Sequence, residues 1–356
     1  MARARLVRRR VTRAVLAGAL VATLAACAGH GVRSTGSPQG PGESSPRSDR
    51  GTGIFTAPQA WTKDVSTLPA SPRSAAILAA LVQLGGWGNG NRLQTDFAIP
   101  LLRADATTPR RTVTGPADDY CYGGPDCDPV PLQMPLPPDG NAEGSTDYTC
   151  DTTVDDCHVL VVAPDERKLY ELYNATGDAT SLTALGAFVW DLTRTYPDGM
   201  RGDQCTSADA AGFPVAALLP TADEVAAGEI PHALRFVLPN DRIKAGVFVH
   251  PAGHAGGPTS ENPDAPPYGV RLRLAASFDE SAFGASERVV LKALKTHGML
   301  LADGGEIALT FADDRHTDAK WADLGIDAQS FSAIGPESFE VVDLGPEIDL
   351  TYECAR

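Results

Sequence analysis

The sequence predicts a mainly β fold, an antiparallel β-sandwich or jelly roll with a few peripheral helices, and three observations lead there. Nine short runs, apolar or alternating, follow His158, each bounded by turn residues. They succeed one another without the strand-helix alternation of a doubly wound sheet. One segment among them, 286–298, has clear helical periodicity.

The elements fall in order along the chain. Six arginines (Arg3, Arg5, Arg8, Arg9, Arg10 and Arg13) precede an apolar run from Ala14 to Ala26. That layout is a signal peptide over 1–26, because the run is shorter than the roughly 20 apolar residues of a permanent span. Residues 27–57 read as a tether. The stretch 28–53 is almost wholly Gly, Ser, Pro, Thr, Arg and Asp, which cannot bury enough apolar surface to order itself. A flexible chain of that length reaches roughly 25–30 Å. Residues 58–356 then form a single β-rich domain that includes a Cys/Pro-rich loop region, 109–157.

Within that domain a helix is expected after Ser71 and Pro72, over Ala75, Ala76, Leu78, Ala79, Leu81 and Val82, stopped by Gly85 and Gly86. The expected strands are 158–163, 168–173, 187–192, 233–238, 246–250, 270–277, 307–311, 339–343 and 348–352. In the sixth, Val270, Leu272 and Leu274 alternate with Arg271 and Arg273, the pattern of a strand with one wet face. The later helix takes Ser286 as its N-cap, an inner stripe of Val290, Ala293, Leu294 and His297, and Gly298 at its end.

Composition narrows the function. Losing residues 1–26 removes six arginines and no acid, taking the formal charge from −15 to −21 over 330 residues. So acidic a surface repels nucleic acid and favours cations, neutral ligands or basic partners. Beyond Cys27 there are six cysteines, and an even number in an exported chain reads as disulfides. Short loops pair Cys121 with Cys127 and Cys150 with Cys157, leaving Cys205 for Cys354. Zinc is the competing reading, but the local spacings exceed those of zinc knuckles.

Leu24, Ala25, Ala26 and Cys27 resemble the bacterial lipobox. The resemblance implies cleavage before Cys27 and a diacylglyceryl group on its thiol, so that the partner there is a lipid bilayer. The expected location is the outer face of a bacterial membrane. Further on, Ser207-Ala208-Asp209-Ala210-Ala211-Gly212 and Gly228-Glu229-Ile230-Pro231-His232-Ala233-Leu234-Arg235-Phe236 resemble an uncharacterised family of exported bacterial proteins. So do Pro251 to His254, Pro266-Pro267 with Gly269, Arg271 and Arg273, then Ala293-Leu294-Lys295 through Asp303, and Phe339 to Asp343. Trp61, Asp64-Val65-Ser66 and Asp96-Phe97 match more loosely. Phe213, His297 and Gly305 depart from the family's pattern, and the stretch 121–157 matches little of it. This resemblance implies a shared fold and pocket and names no substrate.

The candidate site gathers Asp209, Glu229 and His232 as catalytic groups, with Arg235, His250, His254 and Asp96 as substrate-binding groups. Asp209 lies in a loop of small residues that lets backbone approach a ligand. Glu229 and His232 flank Pro231 before one strand; His250 and His254 bracket a turn after the next. Two carboxylates in a cleft suit glycoside hydrolysis, one as acid and one as base or nucleophile. A histidine with Arg235 suits a polysaccharide lyase instead. The ordinary alternative is that Asp209 caps a turn, Glu229 pairs with Arg235 and His232 is bonded at a strand start.

No cofactor is expected, and metal catalysis is disfavoured because no helical His-Glu-x-x-His arrangement occurs. Asp139, Asn141, Glu143, Gly144, Ser145 and Asp147 nearly follow a calcium loop, but Cys150 stands where that loop needs glutamate, so a solvated acidic turn is expected. Ser207 lacks the context of a serine nucleophile, and the glycines around Trp87 lack the Lys and Ser of a phosphate loop. Trp87 itself suits either a sugar subsite or the core. The expectation is a surface-tethered, glycan-cleaving lipoprotein. The alternative is a non-catalytic lipoprotein binding a carbohydrate or cell-envelope component.

Overall fold

An apolar pair, Ile54 and Phe55, starts the domain earlier than the composition suggests. In this computed structural model the described residues are 53–115, 121 and 126–356. The expected signal peptide, the expected lipidation site Cys27 and the expected tether through residue 52 lie outside them. Phe55 is fully buried edge-on against Trp61 and Tyr196, and the Thr56 amide donates to Leu192 O at 2.8 Å. Residues 54–57 therefore belong to the domain and not to the tether, because a buried phenylalanine offsets the entropy of ordering them.

The described residues are mostly strands, with few helices. Seven of the nine expected strands appear within a residue or two, while 270–277 shortens to Arg271–Leu274 and 348–352 to Glu347–Asp349. The largest sheet has nine strands among the described residues: β1 (Thr95–Arg103), β4 (Val159–Ala163), β5 (Lys168–Tyr173), β8 (Gly186–Asp191), β9 (Leu234–Leu238), β11 (Arg271–Leu274), β12 (Met299–Gly304), β13 (Leu309–Asp313) and β14 (Phe339–Val342). Their order is β14-β11-β12-β9-β13-β1-β4-β5-β8. The remaining strands are β2 (Arg110–Thr114), β3 (Leu132–Pro135), β6 (Thr176–Asp178) and β7 (Ser181–Thr183), which form a four-stranded sheet, with β10 (Val247–Val249) and β15 (Glu347–Asp349) paired separately.

The large sheet is mixed, which corrects the expectation of an antiparallel sandwich or jelly roll. β1 runs parallel to both β13 and β4, and β12 runs parallel to β9, whereas β5 is antiparallel to β4 and to β8. Alternation in a sequence reports which side chains face water, not the direction of the neighbouring strand. The helix Ala285–Thr296 lies on the connection that returns the chain from β11 to β12, beside β9.

β1 was not expected at all, since Asp96 and Pro100 break its apolar run. Proline cannot donate to a ladder and is confined to edges and bulges. Here the register shifts between Asp96 and Ile99, and β1 pairs with β13 through Pro100 but with β4 only from Leu101 onward. Pro100 sits at that changeover.

Arg271 and Arg273 do not face water. They are 2% and 7% exposed, covered by the segment around 60–70. Arg271 donates to Ala60 O (2.8 Å) and His297 O (3.0 Å), and Arg273 to Val65 O (2.6 Å) and Leu68 O (2.7 Å), with Glu340 as its charge partner. The later helix also differs in detail. Gly284 is its N-cap, with the Glu287 carboxylate accepting from the Gly284 amide, so Ser286 lies in the first turn. Leu291 completes the buried stripe, while half-buried His297 is the C-cap. The first helix spans Ser74–Gln83 and turns out through Gly85 and Gly86, both at positive φ.

All three expected disulfides are present: Cys121–Cys127, Cys150–Cys157 and Cys205–Cys354. No helix among the described residues is long and apolar enough to cross a membrane.

Candidate functional site

Four adjacent strands bring polar side chains together within the large sheet. Asp96 on β1 is the register partner of Thr310 on β13. Arg235 on β9 donates to Thr310 Oγ1 at 2.9 Å and to Asp303 Oδ2 on β12 at 2.8 Å. Its Nη2 and Nε also reach the two oxygens of Asp209, at 3.0 and 3.4 Å. Arg235 is 5% exposed and Asp209 has no exposed surface.

Asp209 is carried by a loop whose small residues serve protein packing. The Ser207 hydroxyl donates to Phe213 O (2.5 Å) and accepts from the Asp209 amide (2.9 Å), closing the loop on itself. The Ala211 amide donates to Ala302 O, and the Gly253 amide to Ala211 O. Gly212 has φ +82°, and a Cβ there would meet Cys205 O at 2.9 Å. The loop therefore approaches its own sheet, where a ligand approach was expected.

Burial pushes the Asp209 carboxyl up, against the opposing pull of the Arg235 guanidinium. Burial also opposes the Arg235 charge, but Asp209 and then Asp303 more than offset it and hold the guanidinium above its ordinary range. Both Asp209 oxygens accept N–H donors from a group that keeps its proton, so the pair is ionised.

A second pair adjoins the first. His158 Nδ1 lies 2.7 Å from Glu143 Oε2, and its Nε2 lies 2.9 Å from Ala208 O. Carboxylate and carbonyl are both acceptors, so both ring nitrogens must donate and His158 is an imidazolium. Burial opposes this charge, yet Glu143 carries the His158 pKa up to about 9. Burial likewise pushes Glu143 up, and His158 reverses it, so that Glu143 is held below the usual carboxylate range.

Asp96 completes the arrangement. The Ala98 amide donates to Asp96 Oδ1 at 3.1 Å, and the Gly144 amide donates to Ala98 O at 3.0 Å, drawing the Glu143 loop against β1. Burial first, and the Glu143 charge second, push the Asp96 carboxyl up. Asp156 lies at the exposed rim, likewise pushed up by partial desolvation, with the Tyr173 hydroxyl 3.5 Å away. The result is a cluster of carboxylates around one buried guanidinium and one buried imidazolium, with Asp96, Glu143 and Asp303 partly exposed.

The structure separates the expected catalytic trio. Glu229 and His232 line a different cavity, which neither Asp209 nor Arg235 lines. Glu229 is exposed there, while Asp209 is sealed, so the two cannot share one scissile bond. Nor does Glu229 pair with Arg235; Asp209 and Asp303 occupy that guanidinium. His250 is spent on Asp203 at 2.8 Å in a shallow groove, and His254 bonds Ala210 O and meets Tyr352 edge-on. Trp87 is core, its indole N–H donating to Ile334 O at 2.8 Å.

The residues read as an acidic turn are also not solvated as a group. Glu143 faces His158, while the Asn141 amide holds Ala142 O and Ser145 O and its oxygen faces His316 at 2.9 Å. Among the described residues the one grouping with metal-ligand spacing is Asp126 with Cys205 and Cys354, whose sulfurs are joined to each other. Asp156, His158 and Thr310 carried no motif, Glu143 stood only in the calcium-like run and Asp303 only at the end of a family-like segment, so none was read as a site residue. The nearest signal was the acidic run before His158, next to a disulfide loop.

The His158 pair gives a pH prediction. A histidine whose pKa is raised on folding contributes stability fully present below its unfolded value, about 6.5, and lost as pH rises through about 9. Buried Glu171, pushed up by burial to about 7, loses stability at lower pH, between its unfolded value and 7. Urea unfolding should therefore show a fall of up to about 3 kcal/mol between pH 7 and 9.5 in the wild type and a clearly smaller fall in His158→Gln. A flat wild-type profile over that window would mean that the imidazolium is not formed.

Comparison with protein-family models, with curated proteins and with solved structures returns no match for this chain.

Proposed function

We propose that the chain is an exported lipoprotein that cleaves glycosidic bonds at the partly exposed carboxyl pair Asp96 and Glu143. What supports this reading is two partly exposed carboxyls brought side by side, the Glu143 loop being bonded to β1 beside Asp96, with burial raising Asp96 and the His158 imidazolium at 2.7 Å lowering Glu143. A carboxyl raised in this way is the better donor to the leaving glycosidic oxygen, and one lowered is the better group to activate water or attack the sugar carbon. Asp209 and Asp303 are tied to Arg235 beside this pair, and His158 positions Glu143. Lipid on Cys27 would hold this pair at the membrane surface, where envelope glycans are the accessible polymers.

The test incubates the purified protein with a polysaccharide and cell-envelope panel and detects products by mass spectrometry. Asp96→Asn and Glu143→Gln are each expected to slow product release by about a hundredfold or more, with folding checked by thermal unfolding. The wild-type rate should follow a bell in pH, rising as Glu143 ionises and falling as Asp96 does. Product formation untouched by both variants would remove this carboxyl pair as the site. No product from folded wild-type protein, with retained binding to a panel glycan, would favour the carbohydrate-binding lipoprotein.

A further inference from the structure

A concavity outside that carboxyl cluster has its own chemistry. It encloses about 440 Å³ where the domain begins, beside the C-terminal end of β1 and the approach to β9. That volume is within the roughly 300–1,000 Å³ of small-ligand sites. Ile54, Leu101, Ala216, Ala217, Leu219 and Pro231 give it apolar lining. Around these stand Arg103, Asp223, Glu224, Glu229 and His232.

The charges sort into spent and unspent ones. His232 is 3% exposed; its Nδ1 faces Ala233 O at 2.9 Å and its Nε2 faces Glu224 Oε1 at 3.4 Å. The other Glu224 oxygen accepts from the Thr221 amide and hydroxyl. That pair is a closed unit of the wall. Asp223 accepts from the Ala319 amide at 2.8 Å. Among the described residues the side chains of Arg103 and Glu229 have no hydrogen bond or ion pair, and both border the cavity. Two opposite charges thus stand free at the rim of one apolar hollow.

We propose that this cavity binds a small zwitterion of the amino-acid class, a free apolar amino acid or dipeptide. Its carboxylate meets the Arg103 guanidinium, its ammonium meets Glu229 with Asp223 nearby, and its side chain lies against Leu101, Ala217 and Leu219. A guanidinium suits a carboxylate because its planar fork can bond both oxygens. An uncharged apolar molecule would leave both rim charges unused, and a simple amine would leave Arg103 facing solvent or repelling it. This role is separate from glycan cleavage, since neither Asp96 nor Glu143 lines the cavity.

Titration calorimetry of the full protein with leucyl-leucine tests it, with isoamylamine and isocaproate as probes lacking one charged end. The dipeptide is expected to bind at least about tenfold more tightly than either probe. Arg103→Gln should weaken the dipeptide about tenfold or more and leave isoamylamine unchanged; Glu229→Gln should do so for the dipeptide and leave isocaproate unchanged. Both residues are exposed, so thermal unfolding of the variants should match the wild type. No heat from millimolar dipeptide, equal binding by isoamylamine, or variants that bind as the wild type does would each overturn the proposal.

Discussion

Arg235→Met is expected to destabilise the protein by about 3–5 kcal/mol, a fall in Tm of roughly 10 °C for a domain of this size. The cause is the partner left behind. Asp209 has no exposed surface, and its two oxygens take Nη2 and Nε of Arg235. Removing the guanidinium strands a carboxylate in a place water does not reach, with Asp303 adding repulsion. Asp209→Asn combined with Arg235→Met should recover part of the loss, because no buried charge then remains there unpaired. A coupling of about 1–3 kcal/mol between the two positions is expected from a double-mutant cycle in urea. A single-variant loss under about 1 kcal/mol would show that Asp209 is not held as an ion.

Replacing Cys205 and Cys354 together by serine is expected to cost about 5 kcal/mol, the chain-entropy value for a loop of this length. The bond joins residues 149 positions apart, whereas Cys150–Cys157 closes only seven. The folded C-terminal strap has other attachments. Gln204 accepts from the Thr351 amide and donates to Asp349 O, β15 pairs with β10, and Arg356 reaches Asp128 at 2.6 Å. The strap should therefore keep its place in the variant, and the effect should fall on the unfolded chain. Denaturant unfolding of the double variant measures the cost, and hydrogen exchange at the Leu350 amide, bonded to Gly246 O, reports the strap. Little change in unfolding with rapid exchange at Leu350 would assign the bond a local, native-state role instead.

How far each feature was legible follows from the range over which its cause acts. Apolar runs such as 159–163 and 234–238 are strands in any arrangement that buries them, so their existence and approximate bounds could be read directly. Cys121 with Cys127 and Cys150 with Cys157 are close in sequence, and that pairing left Cys205 for Cys354. The direction of β1 could not be read, because Pro100 is tolerated only where the pairing passes from β13 to β4. Arg271 and Arg273 looked solvent-facing because their partners are backbone carbonyls 26 to 211 positions away, which carry no side-chain signature.

The candidate site divides the same way. Asp209, Arg235 and Asp96 could be picked out as titratable groups in distinctive contexts, but their partners could not. Asp209 and Glu229 looked like a catalytic pair because both stand in short, polar, turn-rich motifs; the fold seals one against Arg235 and leaves the other at the rim of a separate cavity. Glu143 looked like part of a solvated turn until the chain brought His158 to 2.7 Å.

By itself the sequence determined the mainly β character, the disulfide pairing and the acidic composition. Each of these depends on residue type and on spacing along the chain. Only the tertiary structure decided the mixed strand order, the joining of Asp209 to Arg235 and Asp303, and the opposite displacements of Asp96 and Glu143. Burial and charge act between neighbours in space, and those neighbours are chosen when the sheet closes.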